Sequence, residues 1–148
     1  SYRAAGKLFL GKYSFNPATM EETYAEGIPW RTRPRSLNGY YRFLPSSANR
    51  SGSGLVRVEL TGMADGREVV ISSSEARLPL ASDFTAFSVP LEYTMFGVKA
   101  TGIKVMFSSS SMCGTIAEET SSIATDPDPV TASSVGGRLW IDNITLAY

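Results

Sequence analysis

The chain has 148 residues, of which 43% are hydrophobic, and its 14 basic side chains balance 14 acidic ones to give zero formal net charge. This length suffices for one domain with a real core, so we expect residues 1–148 to form a single domain. Zero net charge argues against a nucleic-acid or anionic-membrane binder. No apolar run approaches the roughly 18 residues of a transmembrane segment.

The sequence contains no histidine and a single cysteine, Cys113. Histidine-dependent acid–base catalysis, Ser-His-Asp and Cys-His nucleophiles and histidine-ligated metals are therefore excluded. A lone cysteine also excludes an internal disulfide. Any catalytic site would depend on carboxylates, and any metal site would use oxygen ligands such as those of calcium.

Apolar side chains that alternate with polar ones predict a chain made almost entirely of β-strands. Asp65-Gly66 suits the positive φ angles of a tight hairpin turn. Pro90 lacks an N–H group, so it predicts an edge position or a bulge. The predicted strands cover residues 6–15, 36–44, 54–62, 67–73, 84–94, 101–108 and 136–148.

The remaining segments are predicted to be irregular. Residues 17–35 contain two prolines in their second half and are expected to form a loop, with one or two helical turns within 18–26 as an option. Residues 74–83 are expected to connect two strands. The Ser/Thr-rich segment 109–135 is either functional or partly disordered, or contains another short strand at 112–117.

The last strand shows a change of phase. Leu139 and Ile141 share one parity, whereas Ile144 and Leu146 share the other. One extra residue at Asp142-Asn143 would correct the phase, so we predict a β-bulge that lets both halves face one core. Trp140 then points to the opposite surface.

Seven strands with alternating faces predict two packed antiparallel sheets. Long connections favour Greek-key crossings over a simple meander. The expected fold class is therefore an all-β, jelly-roll β-sandwich.

Three motifs together resemble the "putative carbohydrate metabolism domain" family, found in secreted or surface proteins of Gram-negative gut bacteria. They are Gly6-Lys7-Leu8-Phe9-Leu10-Gly11-Lys12-Tyr13, then Arg33-Pro34-x-x-Leu37-x-Gly39-Tyr40-Tyr41-Arg42-Phe43-x-Pro45, then Gly137-x-Leu139-x-Ile141-Asp142-Asn143-Ile144-x-Leu146-x-Tyr148. The resemblance implies a jelly roll like those of carbohydrate-binding modules. It also implies export to the periplasm, cell surface or extracellular space, and attachment to further modules. The chain is thus expected to be the C-terminal module of a longer exported protein whose signal segment lies outside this sequence.

Trp30, Arg33, Tyr40, Arg42 and Trp140 are the candidate ligand-binding residues. Sugars present C–H faces that stack on aromatic rings, and arginine pairs well with the carboxylate of a uronic acid. Arginine interleaved with aromatic residues is also found on nucleic-acid surfaces, but zero net charge disfavours that partner. Alternatively, Arg33 or Arg35 fastens an irregular loop through carbonyls or carboxylates, and Trp140 is buried under the 109–135 segment.

Asp142, at the predicted bulge, is a candidate ligand of a structural calcium ion, and the acids of predicted loops, Glu21, Glu22, Asp126 and Asp128, are candidates only because of that position. The alternative is a local side-chain hydrogen bond that stabilises the bulge. No other cofactor is expected, and no catalytic residue is identified.

Non-catalytic binding of a polysaccharide or other glycan is the leading functional hypothesis. The alternative is a structural or adhesive module that mediates protein contacts at the cell surface. A glycoside hydrolase ranks third, because the sequence singles out no pair of acids with the spacing such chemistry needs.

Overall fold

The computed structural model describes residues 6–19, 21–47, 50–110, 120–122 and 137–148. Its secondary structure is entirely β. The strands are β1 (Lys7–Leu10), β2 (Lys12–Asn16), β3 (Glu21–Ala25), β4 (Ile28–Pro29), β5 (Ser36–Leu44), β6 (Gly54–Ala64), β7 (Arg67–Leu78), β8 (Ala81–Pro90), β9 (Ala100–Ser108), β10 (Thr120–Ser122) and β11 (Arg138–Ala147). No helix in these ranges is long and apolar enough to cross a membrane.

The strands form three antiparallel sheets. The large sheet has the order β1-β9-β6-β7, with β4 also paired to β9, and the front sheet has the order β11-β5-β8. A small sheet has the order β10-β3-β2. Neighbouring strands are mostly distant in sequence, so the chain crosses repeatedly between sheets, as the long connections predicted. The predicted all-β sandwich is confirmed, and the small sheet is an addition to it.

The core lies between the large and front sheets. Alternation directs Val56, Val58 and Leu60 of β6 inward, and all three are completely buried. Phe87 links the sheets, because its ring packs edge-on against Tyr41 of the front sheet and Phe107 of the large sheet, each at 6.1 Å between centroids. Such fully desolvated aliphatic and aromatic side chains supply most of the stabilisation of a domain this size.

The small sheet covers the outer face of the large sheet. Tyr24 of β3 is 3% exposed and packs with Leu55 and Met106, and its ring lies 5.1 Å from that of Phe9. This packing explains why the helical option within 18–26 is wrong. A strand at Glu21–Ala25 can pair with β2 and bury Tyr24, which overrides a weak local helix preference.

The predicted strand at 6–15 is divided in two at Gly11. Its φ of 153° lies in a region that residues with a Cβ rarely adopt, and an added Cβ would lie 2.6 Å from the Phe9 ring. The chain therefore leaves the large sheet at this point and enters the small one.

The connector predicted at 74–83 is also wrong, because β7 continues to Leu78 and β8 begins at Ala81. Ser74, Ala76 and Leu78 pair with Gly54–Val58 in register and share their inward face. Two of these three side chains are small, so the apolar alternation that identifies a strand is weak here.

Three local predictions are confirmed. Asp65 and Gly66 have φ angles of 51° and 74° and form the β6–β7 turn. Pro90 ends β8, an edge strand. The pairing of β11 with β5 shifts register between Asp142 and Thr145, and Asn143 has a φ of 51°, which is the predicted bulge.

The segment 109–135 lies mostly outside the described residues, and so does the strand proposed at 112–117. Residues 120–122 are described and pair with β3.

Candidate functional site

The outer surface of the front sheet brings three of the five predicted ligand-binding residues together. Trp140 of β11 lies directly opposite Arg42 of β5, and Tyr40 lies opposite Asp142. Residues that face each other across antiparallel strands project from the same surface, and diagonal neighbours such as Tyr40 and Trp140 lie about 7–8 Å apart. We call this surface the front face.

Phe84 of β8 is a third exposed aromatic side chain of the front sheet. Ala86 pairs with Tyr40, and Phe84 lies two residues earlier, where the regular pairing of β8 with β5 ends in a register shift. The exposed fractions are 45% for Tyr40, 53% for Phe84 and 36% for Trp140. Tyr40 and Trp140 therefore share the solvent side of a three-stranded sheet whose other side is core, and the exposed Phe84 lies on the edge strand of that sheet.

Arg42 and Trp140 form a stacked pair at the centre of the front face. The guanidinium carbon lies 4.7 Å from the indole centroid, which is within cation–π range. Arg42 Nε is buried and has no hydrogen-bond partner. The stack restrains the indole, so a ligand that packs on Trp140 meets a side chain already held in one position.

Trp30 does not belong to the front face. It packs against the core between the sheets, and its backbone N–H donates to the carbonyl of Thr101 at 3.1 Å. Its indole Nε1 is buried and has no hydrogen-bond partner.

Arg33 also lies away from the front face, and it takes the structural role weighed as the alternative. Its Nη2 donates to the backbone carbonyls of Val98 and, at 2.8 Å, of Met95. The guanidinium stacks over Tyr93 at 5.1 Å, and the Tyr93 hydroxyl donates to the Pro34 carbonyl at 2.8 Å. Burial raises the pKa of Tyr93, and the positive charge of Arg33 partly offsets that increase.

Asp142 forms the local side-chain hydrogen bond that was the alternative to calcium binding. Its Oδ1 accepts the backbone N–H of Asn143 at 2.8 Å, inside the bulge. Among the described residues, no group of three or more acidic, cysteine or histidine side chains is placed to hold a metal ion. Calcium at Asp142 remains only a sequence-based expectation.

A cavity of about 610 Å³ opens between the large and front sheets, on the side where β1 and β11 are the edge strands. Leu8 and Leu10 pair with Phe107 and Val105, so they point inward, yet both are exposed because the sandwich is open here. Ile144 also lines the cavity and is exposed instead of packed in the core as predicted. The described residues that line it are almost all apolar and include no acidic side chain.

A cluster of charged side chains, Lys104, Glu59 and Glu68, lies on the outer face of the large sheet. The Lys104 ammonium group is 3.7 Å from a Glu59 oxygen and 4.0 Å from a Glu68 oxygen. Glu59 is only 2% exposed, so its carboxylate cannot reach a glycosidic bond of a polysaccharide. The cluster pairs opposite charges and does not place an acid and a base across a cleft, as glycoside hydrolysis requires.

Sequence reasoning missed Phe84, the open cavity and the buried Glu59–Lys104 pair. Phe84 could have been found, because strand alternation already placed Phe87 and Val89 on the opposite face. The other two depend on which strands become edges and neighbours, which requires the sheet order.

No family model and no curated protein matches the sequence. Among solved structures, the chain is similar to one described as a "putative glycoside hydrolase from Bacteroides vulgatus ATCC 8482", with a TM-score of 0.61 and 15% sequence identity. The similarity covers 97% of this chain but 64% of that one, so the chain spans less than two thirds of its neighbour's length. Membership of the family named above therefore stays a prediction. At this identity the likeness shows that the two chains share a β-sandwich fold.

Proposed function

We propose that the protein is a non-catalytic glycan-binding module whose site is the front face. The observation that carries this proposal is the placement of Tyr40 and Trp140 on one solvent-facing sheet surface, with Arg42 stacked on Trp140 and the exposed Phe84 on the neighbouring edge strand. Aromatic rings on a sheet bind sugars through the C–H faces of the pyranose, and a few polar groups add orientation. A solved structure that shares the fold is described as a "putative glycoside hydrolase", which agrees with a carbohydrate ligand.

The positions of the acidic side chains favour binding of a glycan without hydrolysis. In the Lys104 cluster Glu59 is buried and Glu68 is paired with Lys104, and the described residues that line the cavity include no acidic side chain. On the front face, the Asp142 carboxylate is engaged with the backbone of its own bulge.

Affinity electrophoresis through gels that contain soluble polysaccharides tests the proposal. We expect at least one polysaccharide to retard the protein. Trp140→Ala or Tyr40→Ala should weaken binding about tenfold, which corresponds to a loss of about 1.4 kcal/mol for one ring. Phe96→Ala is the matched control, because Phe96 is 82% exposed but lies in the β8–β9 loop. A panel of glycans that all fail to retard the protein would refute the proposal.

We also propose that the protein acts outside the cytoplasm as one module of a longer chain. The support is the family resemblance of the three motifs. Fractionation of producing cells tests this part, and recovery only from the cytoplasm would contradict it.

A protein-contact module is the second candidate, and the open cavity favours it. Leu8, Leu10, Ile144 and Tyr148 are exposed around one apolar opening, and such patches mark contact sites. Sedimentation analysis of the wild type and Leu8→Glu tests this candidate. Self-association abolished by the substitution supports it, whereas a wild-type monomer that binds glycan favours the first candidate.

A further inference from the structure

We propose that the glycan taken by the front face is acidic, and that Arg42 binds the carboxylate of a uronic acid. This inference rests on the proposed function and names the sugar class of the same site. The Arg42 guanidinium is stacked on Trp140, and its Nε is buried without a hydrogen-bond partner.

Arg42 differs from two other arginines that the structure describes in detail. Arg33 donates to loop carbonyls, and Arg57 Nε lies 2.6 Å from a Glu75 oxygen. Arg42 forms no ion pair and no hydrogen bond with any described residue, and its Nε is already buried. Its terminal nitrogens are not among the buried unpaired atoms, so they reach the surface.

Two acids lie near Arg42 by strand register, and neither forms an ion pair with it. Asp83 belongs to the stretch of β8 that faces Arg42, where the pairing with β5 is irregular. Asp142 lies opposite Tyr40, the residue two positions before Arg42. Its Oδ1 accepts the Asn143 N–H, and no ion pair joins it to Arg42. The guanidinium therefore has no ion-pair partner among the described residues, and it lies beside two exposed aromatic rings.

A uronic acid presents both groups that this arrangement can bind. The two terminal nitrogens of a guanidinium match the two oxygens of a carboxylate, and such charge-assisted pairs are stronger than neutral hydrogen bonds. The pyranose C–H face packs on the neighbouring Trp140 or Tyr40 ring. A neutral sugar would leave the partly desolvated guanidinium without a counter-charge, which is unfavourable.

Polygalacturonate and its methyl ester form a matched pair of probes, since they share a backbone and differ in the carboxylate charge. We expect polygalacturonate to bind about tenfold or more tightly than the ester, and Arg42→Gln to remove that difference. Arg42→Lys, which keeps the charge but loses the fork, is expected to retain only part of it. Arg67→Gln removes an exposed arginine from the large sheet and should change nothing.

The other possible outcomes distinguish failure of the uronic-acid inference from failure of glycan binding itself. Equal binding of acid and ester in the wild type, a comparison that needs no variant, overturns the inference but leaves glycan binding intact. Binding of dextran sulfate in preference to both polygalacturonate and unmodified dextran also overturns it, in favour of a sulfated sugar. An equal loss with Arg67→Gln overturns it too, because net charge and not Arg42 would then decide affinity. Failure of every glycan in the panel refutes the proposed function itself.

Discussion

Arg33 holds two irregular segments together through a single guanidinium group. It joins the stretch before β5 to the carbonyls of the β8–β9 loop and stacks on Tyr93. We expect Arg33→Lys to lower the free energy of unfolding by about 1–3 kcal/mol, since the ammonium group cannot make this set of contacts. Urea denaturation measures the change.

Arg31→Lys is the matched control, because Arg31 is exposed in the same segment. Its effect should stay within about 0.5 kcal/mol. Glycan affinity should be unchanged in both variants. If Arg33→Lys were as stable as the wild type but bound glycan more weakly, Arg33 would belong to the binding site after all.

Burial raises the pKa of Tyr41 and Tyr93 above the usual value of 10.0. Below about pH 9 both phenols are protonated in the folded and the unfolded state, so their contribution to stability is constant. Above that pH the unfolded state ionises first, and the free energy of unfolding falls. We expect the fall between about pH 9 and pH 11 to be smaller in the double variant Tyr41→Phe, Tyr93→Phe. Denaturation curves with the same pH dependence in both proteins would contradict this.

Single residues were predictable from the sequence where strand parity alone decides their side. Trp140, Tyr40 and Arg42 could be assigned to the outer surface of their strands in this way. Trp30 and Arg33 could not, because they lie in a stretch with two prolines where no periodicity indicates direction. Their positions depend on contacts with distant elements, the core and the β8–β9 loop.

At the scale of elements, the short strand β4 is seated closely on β9. Gly27, just before β4, lies against the β9 backbone, and an added Cβ would be 2.6 Å from the carbonyl carbon of Ile103. Backbone atoms in the middle of a sheet cannot move aside. We expect Gly27→Ala to destabilise the protein by about 1–3 kcal/mol in a thermal or urea melt.

Gly97→Ala tests whether the Gly27 effect comes from this close contact. An added Cβ at Gly97 meets nothing within 4 Å. Its effect should be under about 1 kcal/mol. If Gly97→Ala lowered the free energy of unfolding as much as Gly27→Ala, close packing of β4 on β9 would not explain the effect.

Elements were predictable where inward side chains are large and alternate regularly, as in β5, β6 and β9. The prediction failed at β3. This strand is stabilised by burial of Tyr24 against the large sheet, and no local sequence pattern indicates that contact. The prediction failed again in the second half of β7, where Ser74 and Ala76 take inward positions. The bulge of β11 was predictable because one extra residue is enough to turn both apolar halves of a strand toward the same core.

At the scale of the whole molecule, the sandwich has one closed and one open side. β7 and β8 follow each other across the closed side, whereas β1 and β11 leave the apolar cavity open at the other. The small sheet covers part of the large sheet, and the front face stays exposed. The sequence predicted two packed sheets, but the cavity and the covered face follow from the strand order, which composition and periodicity do not contain.

Glycan binding at the front face is the central claim, and Trp140 is its natural reporter. The sequence has two tryptophans, so Trp30→Phe leaves Trp140 as the single indole. The indole Nε1 of Trp30 has no hydrogen-bond partner, so this substitution removes no hydrogen bond.

The most direct measurement is a fluorescence titration of the Trp30→Phe variant with the polysaccharide that most strongly retards the protein in affinity gels. The account predicts a saturable change in Trp140 emission, with the half-saturation concentration found in the gels. Retardation in the gels with no change in Trp140 emission would place the binding site elsewhere and contradict the account.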